Sequence, residues 1–266
     1  MVLSPTCNAL LQTMNQYIVE TGRKFAPFTT QSYHETHESS KKNNLIGHIA
    51  FCDRWLIDVS IFDLLPDIPL IHPFESPLDH NQTITNEANG VFHTYRFLII
   101  PLITFLKSVW HHLEFTVDHE SKVVASLEGS EGLEPAQGRV DMVVAARNAG
   151  ASDPFNIILL YEAKSPGTLH YWEWMSAQKG LQGHLIGNVV PISKQGRKYC
   201  AATGYPQILF GDPEKMVGMR FKDKDRDYWD SDQNLSADIF FQSDKECFLK
   251  CLVAVVVEKL AELDLI

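Results

Sequence analysis

Three charged residues occur where the surrounding sequence predicts buried β-strands. Asp141 lies inside the apolar run 140–144. Glu162 and Lys164 follow a second apolar run, 157–161. Residues two apart on a strand point to the same face of a sheet, so Glu162 and Lys164 are neighbours. A charge in such a place is costly to bury without a partner, which makes all three residues candidates for a chemical site.

These charges come together only if the two apolar runs pair with each other. The segment 147–154 between them contains Asn, Gly, Asp and Pro, which are typical of a turn. We therefore predict strands over 138–145 and 156–164 that form an antiparallel hairpin. This hairpin can bring Asp141 opposite the end of the second strand, beside Glu162 and Lys164.

Two carboxylates and a lysine at one edge of a buried sheet favour a divalent cation. Carboxylates about 4 Å apart repel each other by roughly 4 kcal/mol at an effective dielectric constant of about 20. A cation removes this repulsion, and carboxylate oxygens with a backbone carbonyl and waters suit Mg²⁺ or Mn²⁺. Such a site performs phosphodiester hydrolysis well, and Lys164 would orient the attacking water or neutralise developing charge.

The pattern resembles the PD-(D/E)XK nuclease superfamily, also called the restriction-endonuclease-like fold. Twenty residues separate Asp141 from the sequence Glu162-Ala163-Lys164. A later predicted helix carries Gln195 and Tyr199, which are similar to the Gln-x-x-x-Tyr motif of that family, and a short strand with Gly211-Asp212 follows. The resemblance covers about residues 87–221, and the sequence around the motif is similar to uncharacterised fungal members.

Two features depart from the family pattern. Val140 precedes Asp141 where the family often has proline, and a long insertion spans about residues 165–189. Members of this superfamily also lose catalysis while they keep the fold. The resemblance therefore leaves two functions open: an active nuclease, or a catalytically inactive module that binds nucleic acid or protein.

The resemblance also implies a role for each motif residue. It implies Mg²⁺ or Mn²⁺ as the cofactor and nucleic acid, with DNA as the first expectation, as the substrate. The implied catalytic residues are Asp141, Glu162, Lys164 and Gln195. The implied metal ligands are Asp141, Glu162, the carbonyl of Ala163 and an acid on the first helix, Glu87.

The charge balance puts stable duplex binding in question. The chain has 23 basic and 33 acidic residues, a net charge of -10, whereas proteins that coat nucleic acid are usually basic. Only the segment 191–226 is locally basic, with eight Lys or Arg against four Asp or Glu. The candidate nucleic-acid contacts lie there: Lys194, Arg197, Lys198 and Tyr199. A solvated helix face explains the three basic residues equally well.

The order of elements predicts a mixed α/β fold. Helical spacing over 85–113, interrupted at Pro101, precedes the hairpin, and a helix over 190–203 follows it. Short strands over 207–210 and 216–221 come next, and the region 237–263 ends in an apolar helix. We predict a central mixed sheet flanked by helices, with a nuclease-like domain over 81–266. Residues 1–80, with an early helix over 8–19, form an N-terminal extension.

Simpler explanations exist for several of these residues. The Glu162–Lys164 pair is worth almost nothing if it lies at a solvated strand end. Three aromatic residues, Tyr171, Trp172 and Trp174, pack a helix onto the core more often than they stack unpaired bases. The histidines lack partners at ligand spacing, so a zinc site is not expected.

The composition indicates the cellular compartment in which the protein is expected. No apolar run approaches the roughly 20 residues that a membrane span needs, and the N-terminus does not resemble a signal peptide. Five scattered cysteines without a Cys-x-x-Cys pair predict reduced thiols and no structural zinc. We expect an intracellular protein, nuclear or cytoplasmic, without a membrane partner.

Overall fold

The computed structural model describes residues 49–54, 87–125, 136–178, 187–221, 235–243 and 247–266. Seven described strands form one sheet in the order β1-β7-β6-β5-β4-β3-β2. Their bounds are β1 Ile49–Arg54, β2 Leu113–Ala125, β3 Ala136–Asn148, β4 Asn156–Ala163, β5 Gln207–Gly211, β6 Met216–Phe221 and β7 Leu235–Gln242. The β1–β7 and β4–β5 pairs are parallel, and the other neighbours are antiparallel.

Helices cover both faces of the sheet, which confirms the predicted mixed α/β class. They are α1 Glu87–Thr94, α2 Ile100–Val109, α3 Tyr171–Gln178, α4 Val189–Thr203 and α5 Phe248–Glu262. One apolar cluster joins α1, α2 and α5 to one face, and a second joins α3 and α4 to the other. Because the middle of the sheet is covered on both sides, the last six residues of β4 are all buried.

The predicted hairpin forms between β3 and β4. Met142 pairs with Tyr161 and Val143 pairs with Leu160, and Asp141 and Glu162 lie one residue beyond the Met142–Tyr161 pair, the last of this ladder. β3 extends further than predicted at the turn end, to Asn148, whereas β4 ends at Ala163, one residue before the predicted end. The turn itself contains Gly150 with a positive φ of 75°, a conformation that favours glycine.

The helix before the hairpin is irregular just ahead of Pro101. A single π-helical turn, Tyr95–Ile99, separates α1 from α2, and Pro101 lies in the first turn of α2. Proline lacks an N–H and its ring clashes with the carbonyl four residues earlier, here Phe97, which a wider turn accommodates. The regular α-helix is therefore interrupted just before Pro101, and it continues through Pro101 itself, where the interruption was predicted.

One strand was missed by the sequence analysis. The region predicted only to end in an apolar helix begins with β7, Leu235–Gln242, and α5 follows from Phe248. β7 pairs with β6 on one side and β1 on the other. The predicted helix over 8–19 lies outside the described residues. β1 belongs to the predicted N-terminal extension and lies in the sheet, and the domain boundary stays a prediction.

Candidate metal-binding site at the end of the motif hairpin

Asp141 and Glu162 lie side by side where the pairing of β3 with β4 ends, one residue before the end of β4. The N–H of Asp141 donates to Oε2 of Glu162 at 3.2 Å, and the N–H of Ala163 donates to Oδ2 of Asp141 at 2.8 Å. Each carboxylate thus accepts a hydrogen bond from the backbone of the other strand. The structure brings together two of the three acids that the sequence analysis selected as metal ligands.

Lys164 and Gln195 both donate to the same oxygen of Glu162. Lys164 Nζ lies 2.9 Å from Oε1, and Gln195 Nε2 lies 2.7 Å from it. With the Asp141 N–H on Oε2, the Glu162 carboxylate accepts three N–H donors. Hydrogen bonds that involve an ionised group are stronger than neutral ones, so these contacts fix the orientation of Glu162.

Helix α4 places Gln195 next to the hairpin. Gln195 Nε2 also donates to the hydroxyl of Tyr199 at 2.8 Å, as expected for residues four apart on one helix face. Between them Gly196 lies directly on the sheet: a Cβ there would be 3.2 Å from side-chain atoms of Ile208 and Phe210. The absence of a side chain at Gly196 allows α4 to lie close enough for Gln195 to contact Glu162.

The oxygen donors present suit a hard divalent cation. In an extended strand the N–H and C=O of one residue point to the same side, so the carbonyl of Ala163 points, like its N–H, towards Asp141. Two carboxylates and a carbonyl on one side of β4 are the donor type that Mg²⁺ prefers. Among the described residues, no group of three or more His, Cys, Asp or Glu side chains could hold a metal ion, so backbone and water ligands would complete the set.

A third acid, Asp212, lies at the end of β5 and was not selected from the sequence as a site residue. Its carboxylate accepts hydrogen bonds from the N–H groups of Leu169, Glu214 and Lys215 at 3.3, 2.8 and 2.7 Å. Burial raises its pKa to about 6, despite these bonds and the Lys215 charge, which lower it. Asp212 could have been selected by its position directly after β5, a strand parallel to β4, because ligands often bind at the carboxyl ends of parallel strands.

Tyr161 connects the site to the opposite face of the sheet. Its side chain is buried, and burial raises the pKa of its hydroxyl above the ordinary value. The hydroxyl hydrogen-bonds the Thr94 side chain, and the charges of Asp212 and Asp141 raise its pKa further. It lies directly against Gly211, where any Cβ would overlap it.

Glu87 is placed near the hairpin only at the level of the backbone. It is the first residue of α1, and Gly90, one turn later, lies against the backbone carbonyl of Lys164. The N-terminal turn of α1 is therefore close to the end of β4. Its predicted role as a metal ligand stays a prediction, because its side chain lies outside the described part of the chain.

The structure argues against Arg197 as a phosphate contact. Arg197 is 2% exposed, and its guanidinium lies 5.6 Å from the ring centre of Phe221. Lys198 is also buried, and burial lowers the pKa of its amine. Tyr199 is buried against Gln195, whereas Lys194 is half-buried on the same helix. Of the four predicted contacts, Lys194 keeps the most access to solvent.

The three aromatic residues of α3 do not share one environment. Trp174 is fully buried in the second apolar cluster, as the packing interpretation predicts. Tyr171 and Trp172 are 40% and 77% exposed, and their ring centres are 5.2 Å apart. The packing interpretation therefore holds for one residue of the three.

Comparisons with known proteins found no family model, no curated protein and no solved structure that matches this chain. The resemblance to the nuclease superfamily thus depends on the motif residues and their arrangement. No helix within the described part of the chain is long and apolar enough to cross a membrane.

Proposed function

We propose that this protein is a metal-dependent nuclease of the PD-(D/E)XK type, which hydrolyses phosphodiester bonds of a nucleic acid, with DNA as the first substrate to test. One observation carries the proposal. Asp141, Glu162, Lys164 and Gln195, taken from two strands and a separate helix, converge through direct contacts on one carboxylate. A solvated strand end does not require this convergence.

Asp141, Glu162 and the carbonyl of Ala163 would hold Mg²⁺ or Mn²⁺. A bound divalent cation supplies a Lewis acid that polarises the phosphate and offsets charge that develops on its oxygens. The protein holds the ligands ready, because the Glu162 carboxylate is already oriented by three donors. Preorganised ligands avoid the cost of ordering them when substrate arrives.

Lys164 supplies a positive charge next to the ligand set. Its ammonium contacts Glu162 and lies 5.8 Å from the ring centre of Phe210. From this position it would orient the attacking water or stabilise the charge that forms on the phosphate. Gln195, held by Tyr199, keeps Glu162 in place and so acts as a positioning residue.

Asp141→Ala and Lys164→Met test the proposal directly. Both variants should lose cleavage of single- and double-stranded DNA and RNA in Mg²⁺ by a factor of about a hundred or more, in proteins that remain folded. Glu114→Gln is the matched control, because Glu114 on β2 pairs with Arg147 near the turn end of β3, away from the candidate site. Full activity in both site variants would contradict the proposal.

Metal binding can be measured without a substrate. Calorimetric titration of Mn²⁺ should show saturable binding to the wild type and to Glu114→Gln, and none to Asp141→Ala. The same titration repeated with an uncleavable oligonucleotide tests whether binding needs the nucleic acid.

A catalytically inactive module is the second candidate, and the burial of Lys164 favours it. The ammonium and its partner Glu162 are about 95% shielded from solvent, so Lys164 neutralises a buried carboxylate whether or not a metal is present. An inactive module predicts no metal-dependent cleavage by the wild type. It also predicts that Asp141→Ala leaves ligand binding intact.

A further inference from the structure

An exposed aromatic pair lies on the same face of the sheet as the candidate site. Trp172 is 77% exposed and contacts Tyr171, whose ring centre is 5.4 Å from that of Phe241 on β7. Most tryptophans are largely buried, and Trp174, two residues further on, is completely buried. We define Trp172, Tyr171 and Phe241 as the aromatic platform.

The sheet register connects the platform to Glu162. Glu162 pairs with Phe210, Phe210 pairs with Val217, and Val217 pairs with Phe241. Paired residues on neighbouring strands point to the same face, and three of these residues belong to or pack against the cluster beneath α3 and α4. Phe241 therefore lies three strand spacings, about 14 Å, from Glu162 along one row.

The charges near the surface make phosphate attraction weak. Six described basic side chains contact an acid, in the pairs Arg139–Glu120, Arg147–Glu114, Lys164–Glu162, Lys215–Glu214, Arg220–Glu258 and Lys259–Glu262. Arg197 and Lys198 are buried, and the chain as a whole carries a net charge of -10. An attraction that is independent of charge would therefore add to the affinity for a nucleic acid.

We propose that Tyr171 and Trp172 form a stacking platform for the unpaired bases of a single-stranded nucleic acid whose backbone runs along the strand ends to the candidate site. This inference rests on the proposed function and narrows its substrate to single strands. Every base has a π-face, so aromatic stacking binds single strands without sequence preference. Bases inside a duplex are stacked on each other and offer no free face to Trp172.

The distance between the platform and the candidate site can be spanned by a few nucleotides of a single strand. At the 3.4 Å spacing of a stacked nucleic-acid strand, the distance of about 14 Å between Phe241 and Glu162 corresponds to about four nucleotides, so a strand that reaches from Tyr171 or Trp172 to the site spans about four nucleotides or more. A base on the platform would thus hold the chain while a phosphate a few nucleotides away lies at Asp141 and Glu162. The platform would contribute to substrate affinity and would leave the chemical step to the site residues.

Binding in the presence of EDTA tests this inference apart from catalysis. The probes are a fluorescent oligothymidylate and a blunt duplex of the same length, measured by fluorescence anisotropy. Trp172→Ala should weaken oligothymidylate binding about tenfold, the loss expected for one stacked base, and Trp172→Phe should keep most of the affinity. Phe92→Ala is the matched control, because Phe92 is 47% exposed on α1, which packs on the opposite face.

The salt dependence gives a second readout. If stacking carries the affinity, oligothymidylate binding should weaken less than about tenfold between about 50 and about 200 mM salt. Equal affinity of Trp172→Ala and wild type, duplex bound as tightly as single strand, or no binding by the wild type would each overturn the inference.

Asp141→Ala separates the two proposals. In EDTA it should bind oligothymidylate like the wild type, although it should not cleave in Mg²⁺. Binding that needs Trp172, in a wild type that never cleaves, would refute the nuclease and keep the platform. Cleavage that needs Asp141, with binding unaffected by Trp172→Ala, would refute the platform and keep the nuclease.

Discussion

At the scale of single residues, burial determines how much an ion pair contributes to the stability of the protein. Arg139 and Glu120 form an ion pair of 2.9 Å with both side chains more than half exposed, and such a pair contributes less than about 1 kcal/mol. Lys164 and Glu162 are the same distance apart but buried. Removing one partner of a buried pair costs about 3–5 kcal/mol, so this pair holds the site together even without a metal.

Asp212 gives a pH dependence that can be measured. Its folded-state pKa of about 6 is above the ordinary value of 3.8, so between these values the folded protein keeps a proton that the unfolded chain has lost. The stabilisation that Asp212 gives the folded protein is complete below about pH 4 and is lost as the pH rises through about 6. The free energy of unfolding should fall by about 3 kcal/mol across this window through this group alone.

Denaturant unfolding of wild type and Asp212→Asn, from pH 4 to pH 7, checks this prediction. Asparagine cannot titrate, and its carbonyl oxygen can still accept from the Glu214 and Lys215 N–H groups. As the pH rises from 4 to 7, the wild type should therefore lose stability relative to Asp212→Asn. Parallel curves across the window would contradict the assignment.

At the scale of elements, glycines set how closely the helix and strands approach each other around the site. Gly196 allows α4 to lie on β5, and Gly211 makes room for the Tyr161 hydroxyl at the junction of β4 and β5. β4 and β5 are parallel, so both end at the same edge of the sheet, next to Lys164 and Asp212. The position of Glu162 therefore depends on packing across three elements.

Gly211→Ala should destabilise the protein by about 1–3 kcal/mol, because the new methyl group overlaps the buried Tyr161 hydroxyl. Tyr161→Phe removes this hydroxyl and should recover part of the loss in the double variant. Urea unfolding of the two single variants and the double variant measures this coupling.

Gly90→Ala is the control for that cycle. Its new Cβ would lie 3.5 Å from the Lys164 carbonyl, an ordinary contact, and alanine is up to about 1 kcal/mol better than glycine in a helix. Gly90→Ala should be neutral or stabilising. Additive effects of Gly211→Ala and Tyr161→Phe would show that the hydroxyl is not the obstacle.

At the scale of the whole molecule, the sheet combines segments that are far apart in the sequence. β1 pairs with β7 across more than 180 residues, since Ile49 pairs with Leu235. The predicted extension 1–80 therefore contributes an edge strand to the sheet of the predicted domain 81–266. A sheet edge that loses its partner presents unpaired backbone groups to other chains.

A fragment of residues 81–266 should consequently self-associate through β7. Size-exclusion chromatography with light scattering should show dimers or larger species for this fragment, and less association for a fragment of residues 45–266, which retains β1. If the shorter fragment is monomeric and as stable as the longer one, β1 is dispensable and 81–266 is a domain by itself.

Local patterns were sufficient to predict the β3–β4 hairpin and helix α4, which carries Gln195 and Tyr199. Alternation and turn residues place Asp141 opposite Glu162, and spacings of two and four residues bring Lys164 and Tyr199 next to their partners. These relations involve residues close in sequence or joined by one turn, so backbone geometry alone produces them. The mixed α/β class followed from the same periodicities.

Only the tertiary structure decided which side chains are accessible. Arg197, Lys198 and Asp212 are polar residues whose types predict exposure, yet all three are buried, while Trp172 is exposed. The place of β7 in the sheet depends on its pairing with β1, a segment more than 180 residues away in the sequence. Burial depends on what packs over a residue from distant parts of the chain, and that information is absent from local spacing.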